Sequence, residues 1–144
     1  ILTGLIAVAA ALSTVKLPTS NVLQSETTTT QLGAPTGSIA KMSNLKVNTP
    51  VYFEYPTGYT NMLMLLADGS ISAVSLYCTH VCCQLTWVPT QTVLYCQCHG
   101  SAFDPVGKVL QGPAVVDLPK IQLRIDNNGY IFPTGVSNPG PCQV

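Results

Sequence analysis

Short runs of apolar, β-branched and aromatic residues, separated by turn residues such as Pro, Gly and Asp, recur along the chain after residue 45, which is the pattern of β-strands. The run Ile121–Ile125 alternates most cleanly, and the turn residues 126–129 separate it from a second apolar run at Tyr130–Phe132. An Asp-Gly pair at residues 68–69 separates two further runs and predicts a hairpin. The other predicted strands are Val51–Tyr55, Met62–Leu66, Ile71–Tyr77, Gln84–Val88 and Thr92–Tyr95. Because no stretch after residue 45 keeps a helical period, the pattern predicts an all-β domain.

The N-terminal part of the chain has a different pattern. Residues 1–15 carry no charge, and as a helix they would extend about 22 Å, short of a bilayer core of about 30 Å. We interpret them as the end of a membrane anchor or the apolar part of an export signal, with a buried helix of the domain as the alternative. Residues 16–45 are small and polar, which predicts a flexible tether, or else an irregular strand laid along the domain. The predicted globular domain is therefore 46–144.

Composition excludes two classes of protein. The formal net charge is zero and only 8% of the residues are charged, so the chain lacks the basic face that nucleic-acid binding requires. The hydrophobic fraction of 47% excludes general disorder.

Both histidines of the chain lie in two short boxes that also contain cysteine. Residues 78–83 read CTHVCC and residues 96–101 read CQCHGS, and each box follows a predicted strand. A structural zinc site also uses two cysteines and two histidines, but its histidines usually lie together on a helix. In a Rieske centre two thiolates hold one iron and two imidazoles hold the other, which suits boxes that each mix Cys with His. The boxes therefore predict one 2Fe–2S cluster.

Five of the six cysteines lie within 21 positions, and Cys142 stands apart near the end of the chain. Such a cluster indicates metal binding in a reducing compartment and disulfides in an exported protein. The spacing is compatible with both at once, and sequence alone leaves the pairing open.

The two boxes, together with Gly112-Pro113-Ala114, resemble the Rieske iron–sulfur protein of cytochrome bc complexes over roughly residues 70–133. The resemblance implies a Rieske-type antiparallel β-sandwich with a small cluster-binding subdomain at about 78–115. It also implies the cluster ligands: sulfur from Cys78 and Cys96 for the inner iron, and nitrogen from His80 and His99 for the outer iron.

The resemblance implies further roles around the ligands. Cys83 and Cys98 match a disulfide that ties the two ligand loops together, and Ser101 matches a hydroxyl that donates to a cluster sulfur. Gly112-Pro113-Ala114 matches a loop that shields the cluster from water.

Two positions depart from the family pattern. Phe103 stands where many high-potential members have tyrosine, which predicts a lower reduction potential. Cys82 replaces a usual glycine, and Cys142 is its possible disulfide partner.

The implied function is one-electron transfer within a membrane complex. The head would dock on a cytochrome b subunit at the outer, periplasmic or extracellular, face of the membrane. There His80 and His99 would contact quinol as the catalytic residues, and a c-type cytochrome or equivalent would accept the electron. Two alternatives remain open: a small Rieske subunit of an arsenite-oxidase-like molybdenum enzyme, and a soluble Rieske ferredoxin that serves an oxygenase.

Overall fold

The computed structural model describes residues 33–142, which form ten short strands and one 3-10 helix. The strands in chain order are β1 Ala40–Lys41, β2 Val51–Glu54, β3 Thr60–Leu65, β4 Ile71–Ser75, β5 Thr86–Val88, β6 Val93–Tyr95, β7 Ala102–Phe103, β8 Val109–Gln111, β9 Lys120–Ile125 and β10 Tyr130–Ser137, with the 3-10 helix at Met42–Asn44. The prediction of an all-β domain is confirmed for these residues.

Six strands form the larger sheet in the order β1-β10-β9-β4-β3-β2, with antiparallel neighbours throughout. Strand β3 is buried on both faces, which explains why its sequence is apolar without alternation from Met62 to Leu65. Met62 and Met64 face one core, whereas Leu63 faces a second core on the other side of the strand. The sheet is therefore covered on both faces at its centre.

The smaller sheet has the order β5-β6-β7-β8 and is also antiparallel. Its inward-facing Leu94 and Phe103 share a core with Met62, and the same core includes Cys78 and Cys96. The two cysteines are fully buried, so the first residue of each predicted ligand box is anchored in this core.

All the predicted strand runs contain strands, although their ends shift by a few residues. β10 continues to Ser137, beyond Phe132, where the predicted strand ends. Its pairing with β9 shifts register between Pro133 and Gly135. The sequence pattern predicts no strand at β7 or β8, which are two and three residues long.

The prediction of a tether extending to residue 45 is wrong at its end. Ala40 and Lys41 pair with Ile131 and Tyr130 of β10, so this segment is an edge strand of the larger sheet. A two-residue strand depends on its partner rather than on its own sequence, which is why composition suggested a tether. The predicted anchor and residues 16–32 lie outside the described residues. In residues 33–142 no helix has the length and apolar character needed to cross a bilayer.

Candidate metal centre

The first ligand loop, residues 78–83, closes through two backbone hydrogen bonds. The N–H of Cys78 donates to the carbonyl of Cys83 at 2.8 Å, and the N–H of Cys82 donates to the carbonyl of Cys78 at 2.9 Å. The loop follows β4 and is clamped just before β5 by the bridge between Tyr77 and Gln84. Rigid strands therefore fix both ends of the loop.

The second ligand loop, residues 96–101, repeats the same pattern between β6 and β7. The N–H of Cys96 donates to the carbonyl of Ser101 at 2.8 Å, and the N–H of Gly100 donates to the carbonyl of Cys96 at 2.9 Å. The two loops are thus conformational equivalents displaced by 18 positions in sequence, since Cys78 corresponds to Cys96 and Cys82 corresponds to Gly100.

The fifth residue of each loop has a left-handed backbone. Gly100 has φ of 84°, and Cys82 has φ of 65° at the equivalent place. Glycine adopts this conformation without penalty, whereas an L-residue with a side chain pays about 1–2 kcal/mol. Cys82 therefore carries a local conformational cost that its counterpart avoids.

The six cysteines, all within the described residues, fall into three pairs. Cys83 and Cys98 are bonded at an S–S distance of 2.15 Å and link the two ligand loops. Cys82 is bonded to Cys142 at 2.08 Å across a sequence separation of 60. Cys78 and Cys96 are the two free thiols, and both are fully buried.

The sulfur atoms of Cys83, Cys96 and Cys98 lie within 4.8 Å of one another. Two of these sulfurs are bonded to each other, so only that of Cys96 is available as a thiolate ligand. The second available thiolate is Cys78, whose side chain contacts that of Cys96.

His80 and His99 meet at the exposed side of the loops. Their ring centroids are 4.9 Å apart with an interplanar angle of 88°, and both side chains are exposed. The site is therefore layered: two buried sulfurs below and two solvent-facing imidazoles above.

Burial raises the pKa of the Cys78 thiol above its ordinary value of 9.0. The backbone N–H of His80 acts in the opposite direction, the proximity of Cys96 raises the pKa further, and the hydroxyl of Ser101 lowers it. Two adjacent buried thiols are costly to ionise without a nearby positive charge. A bound metal supplies that charge and deprotonates coordinating thiols outright, so the environment fits a metal centre.

Three side chains attach residues 110–116, the shielding loop, to the ligand loops. The backbone N–H of Ala114 donates to the buried hydroxyl of Ser101 at 3.0 Å. The amide of Gln111 donates to the carbonyl of Gly100 at 2.8 Å, and the hydroxyl of Thr79 donates to the carbonyl of Val116. Ala114 is buried and anchors the loop to the protein interior, whereas Gly112 and Pro113 are exposed to solvent.

Sequence reasoning missed the roles of Gln111 and Thr79, because neither belongs to a spacing pattern. Thr79 lies inside the first box, but a threonine between two ligands gives no sign of a partner 37 positions later. Phe103 is fully buried in the core that contains both free cysteines. Its ring adds packing to the site and no hydrogen-bond donor.

Two buried thiols and two exposed imidazoles lie together on loops that border the smaller antiparallel sheet. This mixed donor set defines the class of two-iron cluster proteins in which both sulfur and nitrogen bind iron. A family model, that of the Rieske [2Fe-2S] domain, matches residues 37–122. The chain belongs to this family, carries one Rieske 2Fe–2S cluster and is a one-electron carrier.

Relatives of the chain include iron–sulfur subunits of cytochrome b6-f complexes. It is 33% identical over 71 residues to the cytochrome b6-f complex iron–sulfur subunit of Chlorobaculum thiosulfatiphilum, covering 49% of this chain and 39% of that subunit. It is 34% identical over 85 residues to the cytochrome b6-f complex iron–sulfur subunit 3 of a Nostoc species, covering 57% and 48%. The chain thus matches less than half the length of these relatives.

A solved structure extends the similarity. The plasma membrane Rieske protein PetC3 of Synechocystis PCC 6803 is 33% identical, with a TM-score of 0.59, and the match covers 68% of this chain and 98% of that one.

Proposed function

We propose that this chain oxidises quinol as the iron–sulfur subunit of a membrane cytochrome bc-type complex. In this proposal Cys78 and Cys96 hold the inner iron, and His80 and His99 hold the outer iron. The electron passes on to a c-type cytochrome or equivalent acceptor. The observation that carries the proposal is the pair of exposed imidazoles at a tip without formal charge, and the similarity to cytochrome b6-f subunits supports it.

The tip around the imidazoles is apolar and carries no formal charge over a long stretch. Residues 69–103 contain no Lys, Arg, Asp or Glu. The exposed apolar side chains of the ligand and shielding loops form what we call the tip patch: Val81, Leu110, Val115 and Val116. An apolar patch on the loops that carry and cover the proposed ligands suits docking against a hydrophobic subunit of a membrane complex.

The histidine side chains are suited to form a hydrogen bond with a quinol hydroxyl. When bound, the cluster accepts one electron at a time. An imidazole that gives one ring nitrogen to iron keeps a second nitrogen, which carries a proton in the neutral ring and accepts a hydrogen bond only in the deprotonated ring. Because the rings of His80 and His99 are exposed, that nitrogen, when deprotonated, can take up the proton that leaves the quinol hydroxyl.

The proposed location of the cluster domain rests on its disulfides. Disulfides persist mainly in oxidising compartments, so the two disulfides support a location of the cluster domain on the periplasmic or extracellular face. The uncharged segment 1–15 is proposed to anchor it in the membrane.

The test is purification of the chain with its native membrane partners. We expect b-type haem to copurify, quinol to reduce the cluster, and a quinol-site inhibitor to change the line shape of the cluster's EPR signal. Val81→Glu in the tip patch should slow quinol-driven reduction while leaving the EPR signal intact. Ile125→Glu is the matched control, because Ile125 is similarly exposed but lies in β9 of the larger sheet.

Other results contradict the proposal. A copurifying molybdenum cofactor without b-type haem, together with an EPR signal indifferent to quinol, would assign the chain to an arsenite-oxidase-like enzyme. Isolation without any partner, with electrons passing to an oxygenase, would assign it to the soluble Rieske ferredoxins.

A further inference from the structure

Cys82 occupies a position whose left-handed backbone favours glycine. In the second ligand loop the equivalent residue is Gly100, which adopts its left-handed backbone without penalty. Cys82 adopts the same conformation with a side chain, and that side chain is bonded to Cys142. The two loops therefore reach one conformation by different means.

The C-terminal segment that supplies Cys142, residues 138–142, packs along the first ligand loop. The sulfur of Cys142 lies 3.3 Å from the carbonyl oxygen of Cys78, the same oxygen that accepts the N–H of Cys82 at 2.9 Å. A disulfide sulfur has no proton to donate, so the contact with this oxygen is one of packing.

The segment also lies close to Thr79 of the first ligand loop. A Cβ atom added at Gly140 would lie 3.3 Å from Cγ of Pro119 and 3.6 Å from Cγ2 of Thr79. Residues 138–142 thus lie beside positions 78, 79 and 82, which flank the ligand His80 on both sides.

We propose that residues 138–142 are a C-terminal brace that positions the first ligand loop. The Cys82–Cys142 crosslink holds Cys82 in its left-handed conformation and ties the first loop to the segment that follows β10. The second loop needs no brace, because Gly100 has no such cost and its carbonyl is held by the side chain of Gln111. Cys142 is in this sense a positioning residue for His80.

Two variants of the full chain distinguish two roles of the crosslink: positioning the first ligand loop, and merely offsetting the conformational cost at Cys82. Cys142→Ser removes the crosslink and leaves the cost at Cys82. The double variant Cys82→Gly/Cys142→Ser removes both, and it gives the first loop the backbone freedom that Gly100 gives the second.

We expect Cys142→Ser to increase amide hydrogen exchange in residues 78–83 by about 5- to 30-fold, the ratio expected for the penalty at one left-handed residue. The cluster's visible absorption should bleach faster in the presence of an iron chelator, and its EPR signal should broaden. The double variant should show smaller changes in the same direction. Exchange in residues 96–101 is the internal control and should stay close to wild type.

Two outcomes overturn the proposal. If Cys142→Ser matches the wild-type chain in exchange and cluster lifetime, the segment does not position the loop. If the double variant matches wild type in every measurement, the crosslink only offsets the cost at Cys82 and braces nothing.

A measurement on the wild-type chain covers the case in which a variant fails to fold. Limited reduction followed by alkylation yields molecules modified at Cys82 and Cys142 with the Cys83–Cys98 bond intact. These molecules should lose their cluster faster than unmodified ones. Equal lifetimes for the two populations would also refute the brace.

Discussion

The hydroxyl oxygen of Ser101 accepts a hydrogen bond from the backbone N–H of Ala114 at 3.0 Å, and both residues are buried. Together with the hydrogen bond from Gln111 to Gly100, this contact joins the second ligand loop to the shielding loop. Because the hydroxyl oxygen serves as the acceptor for Ala114, its proton remains free to point toward sulfur, and the hydroxyl already lowers the pKa of the Cys78 thiol. Ser101 therefore both holds the shielding loop in position and influences the charge on the Cys78 sulfur.

Replacing Ser101 with alanine should affect both stability and potential. The buried N–H of Ala114 loses its acceptor, which costs about 1–3 kcal/mol in the free energy of unfolding. Loss of a donor toward sulfur should lower the reduction potential by an amount of order 60 mV, the equivalent of a tenfold change for one electron. An EPR-monitored redox titration and a thermal unfolding curve measure the two effects.

Ser72→Ala is the matched control for this variant. Ser72 is also a buried serine, and its hydroxyl donates to the carbonyl of Pro105 at 2.8 Å, away from the ligand loops. It should lower stability and leave the potential unchanged. An unchanged potential in Ser101→Ala itself would show that the hydroxyl has no influence on the cluster.

Gly107 should tolerate no side chain. Its φ is 83°, and an added Cβ would lie 3.0 Å from Cβ of Leu118 and 3.1 Å from Cγ1 of Val74, both in the core that contains the free cysteines. Gly107→Ala should lower the melting temperature by roughly 5 °C or more, because it combines a left-handed penalty with overpacking. Differential scanning calorimetry measures the change.

Gly69→Ala provides the comparison, since Gly69 has φ of 84° but nothing within 4 Å of an added Cβ. It carries the backbone penalty alone and should be the milder change. Equal losses in the two variants would mean that packing around Gly107 adds nothing.

The uncharged tip predicts an electron transfer rate that depends little on salt. Charges further away than the Debye length of about 10 Å at 0.1 M salt contribute little to association. Under the proposed function, the rate of quinol-driven cluster reduction in the complex should change less than about twofold between roughly 0.05 and 0.5 M salt. Stopped-flow absorbance follows this rate.

Val115→Lys places a charge in the tip patch at its most exposed residue, which is 90% accessible. The rate should then become salt-dependent, whereas Val47→Lys, at an exposed position before β2, should not have this effect. A steep salt dependence of the wild-type chain would contradict apolar docking.

Asp68 makes the β3–β4 hairpin sensitive to acid. Hydrogen bonds from the side-chain hydroxyl and the backbone N–H of Ser70 lower the pKa of Asp68 below its ordinary value of 3.8. A carboxylate whose pKa falls on folding stabilises the native state above the unfolded pKa, and this contribution is lost as the pH falls through the native pKa. Stability should therefore decline below about pH 3.8.

Asp68→Asn keeps the turn geometry but does not titrate. Denaturant unfolding across the acidic range should show the wild-type chain more stable than Asp68→Asn at neutral pH, with the difference shrinking in acid. A difference independent of pH would assign the effect to the turn rather than to charge.

The sequence by itself determined the strand class of this protein and its cofactor, a Rieske 2Fe–2S cluster. Alternation in runs such as Ile121–Ile125 reports which residues are half buried, and two boxes that each mix cysteine with histidine leave few metal centres to consider. The Asp-Gly turn at residues 68–69 could likewise be predicted, because hairpin turns depend on two adjacent residues.

The tertiary structure decided how distant parts of the chain meet. The pairing of Ala40 with β10, the contact of Thr79 with Val116 and the bond between Cys82 and Cys142 all join segments that local patterns treat separately. A sequence period identifies the buried face of a strand but not the loop that lies opposite it. The equivalence of Cys82 and Gly100 was visible only once both loops showed the same hydrogen bonds, because the left-handed backbone is set by the folded loop rather than by residue type.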